Sequence, residues 1–351
     1  MTTTPAIDHA EPHRKRSSLL GLLIPFLILA LALGGWTWWW FQVAHGIEQG
    51  VDKGAADLRA AGYTVSWKSR QVTGWPFRTF VRFEDARVVA PSGHALFAPR
   101  LDAEANAYDP THWIAGAPQG MTLTRADKGA VTITGQALRA SLTHPDQTPP
   151  VIVIELTKPV FTAAASAEPF PLMSADLIAL NIKPQAGAPG TGLFLFRIEG
   201  GKPRPDGMLD WIGDGEPFST RWEGAVTRFD LFNGRGWTGA ARNWSRAGGA
   251  ITQLRGRAEA GQASAQADSA RLTAGPDGRL RGSVNLSVTG GPQSLIAMGR
   301  AKVVDADSAA LAATAAGLAG GLNGTARTRL DFTAGGAKLG AVRLSDSPQV
   351  Y

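Results

Sequence analysis

The 351-residue chain contains no cysteine, which excludes disulfide bridges and thiolate metal sites. An oxidising compartment permits disulfides without requiring them, so this absence assigns no location. Tyrosine is scarce, at three residues, and charged residues make up only 18%. With 44% hydrophobic residues, that balance describes a folded chain and not a disordered one. Six histidines (His9, His13, His45, His94, His112 and His144) are spread out, and only His9 and His13 stand close together. No HExxH or comparable metal spacing occurs. No G-x-S-x-G elbow marks a nucleophile. The sequence therefore calls for no catalytic residue, no cofactor and no metal. Gly234 to Gly239 match G-x-G-x-x-G literally, but no helix is expected after them and the flanks are not βαβ, so they carry no dinucleotide reading. Asp102 with Glu104, and Asp214 with Glu216, place carboxylates two residues apart on one side of an extended chain. Solvent-facing charge is their expected role.

The net charge is +6, but Lys and Arg are scattered, so nucleic acid is not an expected partner and contact with anionic headgroups fits better. The one local basic and aromatic mixture is Arg235, Arg242, Arg246, Arg255 and Arg257 with Trp237 and Trp244, a combination suited to headgroups.

What the chain does contain is a long apolar run at residues 19–41, LLGLLIPFLILALALGGWTWWWF. It is uncharged and long enough to cross a bilayer core as one helix. Arg14, Lys15 and Arg16 precede it, and Trp36, Trp38, Trp39 and Trp40 crowd its far end, where indoles favour the membrane interface. The positive-inside rule then makes residues 1–18 a cytoplasmic tail and delivers the rest across the membrane. A cleaved signal peptide is the rival. Its apolar region is normally shorter, and here Ala30 and Ala32 lie inside the run, which favours a retained anchor.

Residues 42–61 switch to a helical period, with Val43, Ile47, Val51, Ala55 and Leu58 on one face and Gly62 placed to end the helix. From Tyr63 the period falls to two. Strands are expected around 63–68 and 78–83, then as a hairpin through Pro91-Ser92-Gly93, and on through 121–124, 131–134, 138–142, 151–156, 178–182 and 193–198. Residues 200–217 read as a loop. After Pro276-Asp277-Gly278, Leu280, Val284 and Leu286 alternate with polar residues. Helices are expected at 292–300 and 307–322, the second presenting Leu311, Ala315, Leu318 and Leu322 on one side. Residues 327–344 close the chain as a hairpin. The fold class expected is mainly β with a few helices: a transmembrane helix, an amphipathic stem, and a large antiparallel, curved or groove-like β domain over 62–351, in one or two subdomains.

Several motifs in order resemble the alphaproteobacterial envelope family known as domain of unknown function 2125. They are the basic–apolar–aromatic anchor, Ala61-Gly62-Tyr63-Thr64-Val65 leading to Gly74-Trp75-Pro76-Phe77-Arg78, Asn243-Trp244 before Gly248-Gly249, the Asp277-Gly278 strand, and Leu330 to Gly340 before Pro348. The family's usual Phe before Pro is Trp75 here, which keeps bulk and apolarity. The resemblance spans most of residues 18–349 and implies an anchored, β-rich envelope domain; it supplies no catalytic residues. The anchor and the strands that follow it lead to the expectation of a single-pass protein of the bacterial inner membrane with its bulk in the periplasm. The architecture is also similar to AsmA-type envelope proteins, whose sheets curl into lipid-holding grooves, an analogy of fold alone.

The strand faces must either meet one another as a core or line a groove for a lipid or other apolar molecule. Trp75, Phe77, Phe80, Phe83, Leu280, Val284 and Leu286 are the candidate apolar lining, with Phe80 expected to face away from Phe77 and Phe83. Besides the bilayer itself, the alternative partner is another envelope protein, docked on an exposed apolar patch.

Overall fold

The computed structural model describes residues 19–232, 236–320, 324–340 and 342–351. The tail with Arg14, Lys15 and Arg16, as well as His9, His13, Arg235 and Leu322, lies outside the described residues.

One helix, α1 (Leu19–Ala60), joins the expected span and stem without a break. Its first half is apolar on every side and exposed on every side: Leu23, Ile24, Phe26, Leu27, Ile28, Leu29, Leu31 and Leu33 all face outward. By length and composition this helix is able to cross a membrane. From Val43 the pattern becomes one-sided, and Val43, Ala44, Ile47, Glu48, Val51, Ala55 and Leu58 are the partly or fully buried positions.

The strands that follow are β1 (Thr64–Ser66), β2 (Ser69–Thr73), β3 (Arg78–Val89), β4 (Ala95–Asn106), β5 (Asp109–Gly116), β6 (Met121–Arg125) and β7 (Gly129–Thr134). Next come β8 (Ala137–Thr143), β9 (Val151–Thr157), β10 (Val160–Ala163), β11 (Leu172–Ser174), β12 (Leu177–Pro184) and β13 (Gly192–Pro203). A short helix α2 (Met208–Gly213) leads to β14 (Phe218–Val226), and α3 (Trp237–Arg246) leads to β15 (Ile251–Ala260), β16 (Ala263–Ala274) and β17 (Leu280–Thr289). The chain ends with α4 (Gly291–Arg300), α5 (Ala306–Gly320), β18 (Thr325–Thr333), β19 (Gly336–Leu339) and β20 (Val342–Ser345).

Every pairing is antiparallel, and all the strands belong to one sheet. Strands β1 and β2 lie end to end along one edge of β3. The β3–β4 hairpin turns at Pro91-Ser92-Gly93, where Gly93 supplies a φ of 83° that few other residues adopt. The sheet then divides. One end of β4 pairs with β5 and the other with β6. Two lanes follow, β5–β8–β9–β12 and β6–β7–β10–β11, and both rejoin on β13. From β13 to β20 each strand pairs with the next.

Directly opposed residues of an antiparallel pair share a face, so the register traces rows across the sheet. One row runs Val72, Val81, Ala103, Ala115, Ala140 and Ile154. It continues through Leu180, Phe196, Trp222, Gly256, Ala267 and Leu286. A second row on the same face holds Leu138, Leu156, Ile178 and Ile198, and a third holds Leu142, Ile152, Ile182 and Phe194. The other face carries charge: Arg82 meets Asp102, Arg139 meets Glu155, and Arg197, Arg221 and Arg257 stand in line. The sheet is therefore two-sided, with one mainly apolar face and one on which charged residues are interspersed with Ile114, Val153, Leu193 and Leu195.

The sheet is also rolled. The Tyr63 hydroxyl, just before β1, accepts from the Trp237 backbone N–H at 3.1 Å. Trp244, two turns along α3, donates to Thr227 O at the end of β14. These links hold the Tyr63 backbone within about 32 Å of the β14 end. In a flat sheet, eight strand spacings of about 4.8 Å separate β1 from β14, at least about 38 Å. Strand twist closes that gap.

Candidate functional site

The apolar face is the candidate site. Its larger residues, Leu180, Ile182, Phe194 and Phe196, are only half-buried, and Ile154 is 39% exposed. Besides single buried residues such as Val81, Val131 and Ala179, four small clusters of buried residues form. The first joins Ala98, Ala117, Ile133 and Leu138; the second Trp40, Ala44 and Ala107; the third Ala267, Leu272 and Val284; the fourth Leu295, Ala312 and Ala313. The face is thus closed at intervals and left open between them.

The β17 candidates come together as the alternation predicts. Val284 is buried, and Leu280 and Leu286 pack against its cluster with Trp222, Leu254, Leu330 and Phe332. The Trp222 ring lies over Gly256, where a Cβ would sit 2.3 Å from a ring carbon. Only glycine fits that contact.

The aromatic candidates near the anchor do not form one lining. Phe83 sits on the apolar face, where its ring meets the edge of Trp67 at 5.5 Å between centroids. Phe80 occupies the opposite face, as the period of two requires, beneath the Arg82 guanidinium at 5.3 Å. Trp75 and Phe77 belong to the turn before β3 and are 53% and 67% exposed. Since β3 and β17 are far apart in strand order, the seven residues are distributed between two ends of the sheet.

Of the tryptophans in α1, Trp38 and Trp39 are exposed. Trp36 and Trp40 instead turn to the β domain: their indole N–H groups donate to Pro76 O and Arg78 O, each at 2.8 Å. Farther along, Arg70 of β2 binds Asp52, and Arg59 donates to Val65 O at 2.7 Å while lying over Trp67. The second half of α1 therefore lies along the first strands from one end of β3 to the other.

The basic and aromatic mixture separates in three dimensions. Arg242 and Arg246 on α3 line a depression of about 580 Å³ with Asp277 and Tyr351. Trp244 is buried, and Trp237 is exposed with its indole donating to Val350 O. Arg255 and Arg257 belong to the charged face, where with Arg221, Arg327 and Arg329 they line a wider depression of about 1050 Å³. Five arginines share this lining with Glu223 and Asp268; Arg221 pairs with Glu223, whereas Arg257 and Arg329 pair with Glu259 and Asp331.

The carboxylate pairs are ion-paired or exposed. Burial pushes the Asp102 carboxyl up, but hydrogen bonds from Arg100 and Arg82, with their charges, outweigh it and hold it below the ordinary carboxylate value. Glu104 pairs with Arg78 at 3.3 Å. Asp214 and Glu216 lie exposed in the turn after α2. Among the described residues no group of three His, Asp or Glu side chains is placed to hold a metal ion.

Three expectations are corrected. A ten-residue helix, α3, does follow Gly236; its flanks remain antiparallel strands, not βαβ. Residues 200–217 are not all loop: β13 runs to Pro203, and α2 occupies Met208–Gly213. In α5 the expected Leu311 face points outward, 60% exposed, while Ala309, Ala312 and Ala313 are buried. The reason is close approach: a Cβ on Gly299 of α4 would meet Ala309 at 2.7 Å, so this helix pair packs through small residues.

These features define a class: a large, two-faced antiparallel sheet carried on one helix that is long and apolar enough to cross a membrane. The chain belongs to the family described as an uncharacterized protein conserved in bacteria, DUF2125, whose model matches residues 40–348. No curated protein and no solved structure matches the chain.

Proposed function

We propose that this is a single-pass protein of the bacterial inner membrane whose β domain stands in the periplasm and holds a lipid, or another molecule with long apolar chains, on the apolar face of its sheet. The observation that carries this reading is the set of cross-strand apolar rows, continuous over many strands yet only half-buried at Leu180, Ile182, Phe194 and Phe196. A closed core buries such residues fully; a half-covered apolar surface on a rolled sheet has the character of a ligand groove. The orientation is supported by Arg14, Lys15 and Arg16 preceding the apolar run.

Native mass spectrometry of the full chain, extracted in mild detergent, tests the ligand. Bound phospholipid at a fixed stoichiometry is expected, and its loss in Ile154→Asp, a half-exposed site, with an unchanged unfolding midpoint. Bare wild-type protein overturns the reading. Alkaline carbonate extraction tests the anchor, because release into the soluble fraction contradicts a retained span.

A second reading, docking onto another envelope protein, draws on the outward-facing Ile296, Val303 and Leu311 on and between α4 and α5. Bare protein that copurifies with one reproducible partner favours it.

A further inference from the structure

The place where the apolar run of α1 meets the β domain carries more than a tether. Trp36 and Trp40 donate to carbonyls on either side of Phe77, and Trp40 is 5% exposed, packed with Ala44 and Ala107. The Ala107 N–H in turn donates to Phe77 O at 2.9 Å, which ties the turn 74–77 to the turn 106–109. Around this fixed junction three aromatic rings lack protein cover. Trp75 is 53% exposed, and Phe77 and Tyr108 are each 67% exposed.

Helix length sets the level of the junction. At about 1.5 Å per residue, Trp36 stands about 26 Å and Trp40 about 32 Å along the axis from Leu19. The hydrocarbon core of a bilayer is about 30 Å thick. With Leu19 at the inner boundary, the Pro76 and Arg78 carbonyls reach the outer boundary, and so do the rings attached to the same turns. Aromatic side chains are the residues that favour this layer, and Tyr108 adds a hydroxyl for the headgroups.

We infer that Trp75, Phe77 and Tyr108 form an aromatic foot of the β domain that enters the lipid headgroup layer beside Trp38 and Trp39. The occupant is the same bilayer that α1 crosses, so the inference rests on the anchor of the proposed function but not on a ligand in the groove. It gives Trp75 and Phe77 a lipid-facing role outside the groove. It also orients the domain. From Arg78 the strand β3 rises for about 36 Å to the turn at Pro91-Ser92-Gly93, which becomes the membrane-distal end.

Because the chain has no cysteine, a single introduced thiol takes a single label. Four variants of the full chain, Phe77→Cys, Tyr108→Cys, Trp38→Cys and Ser92→Cys, are labelled with nitrobenzoxadiazole and reconstituted into phosphatidylcholine–phosphatidylglycerol vesicles. A fraction of the lipid carries a nitroxide near the headgroup. The 77 and 108 positions are exposed, so neither substitution removes core packing. Quenching of the 77 and 108 labels comparable with that of the 38 label is expected, with no loss of emission at 92. Quenching at 38 alone overturns the foot and leaves the anchor standing. An unquenched label at 38 removes the anchor and the foot with it.

Discussion

Arg70 of β2 grips Asp52 of α1 through its two terminal guanidinium nitrogens, at 2.6 and 3.2 Å. A helix that begins in an apolar run is thereby held to the second strand of the sheet by a fork whose planar geometry suits a carboxylate. Asp52→Asn removes the charge and half of the fork. Faster hydrogen exchange over residues 44–60, with unchanged protection in β13 to β17, is the expected outcome by mass spectrometry. Unchanged exchange along the helix counts against this contact as a tie.

The tryptophan ties separate into packing and hydrogen bonding. Trp40→Phe keeps a ring against Ala44 and Ala107 but leaves Arg78 O without its donor, at a cost of about 1–2 kcal/mol. Trp40→Ala also opens a cavity and costs about 3–5 kcal/mol. Denaturant unfolding in detergent, followed by far-UV circular dichroism, measures both.

Gly256→Ala forces the Trp222 ring from its place on the apolar face. A loss of about 1–3 kcal/mol is expected, with a changed tryptophan emission maximum. Gly239→Ala, in α3 with open space around the new methyl group, is neutral or slightly stabilising. Equal effects at the two sites contradict the close contact.

Asp102 makes stability sensitive to acid. Its carboxyl is held below the ordinary value by Arg100 and Arg82 against the opposing effect of burial. The unfolded chain therefore binds this proton more readily than the folded one. The stabilisation is complete above the unfolded value and is lost as pH falls through the folded value. Asp102→Asn is expected to lower the unfolding midpoint near neutral pH and to flatten the dependence on pH below about 4, where ordinary aspartate titrates.

Much of the sheet was legible because its strands carry bulky residues at a period of two. Leu280, Val284 and Leu286 show this best, followed by Ile178, Leu180 and Ile182. Strands β15 and β16 were not, for two reasons. Their apolar positions are small, with Ala263, Ala265 and Ala267 opposite Ala260, Ala258 and Gly256. Gln253, at a φ of 53°, also breaks the alternation of β15 with a bulge. Helix α3 was hidden by the glycines on both sides of it. The buried face of α5 was misread because leucine marks a face better than alanine, yet here close helix packing selects alanine. Of the seven candidate residues, only the three on β17 could be read from the sequence as one packed group. Which way Trp75 and Phe77 point depends on Trp36 and Trp40, some forty residues earlier, and no local period records that relation.

Helix α1 is continuous from Leu19 to Ala60 and lies along the length of β3, held near both ends by Trp40 and Arg59. A rod fastened in this way has no pivot between its bare and its clothed halves. Any lean of the helix beyond Pro25 therefore carries the sheet with it, so the tilt of that rod sets the direction in which the apolar face looks.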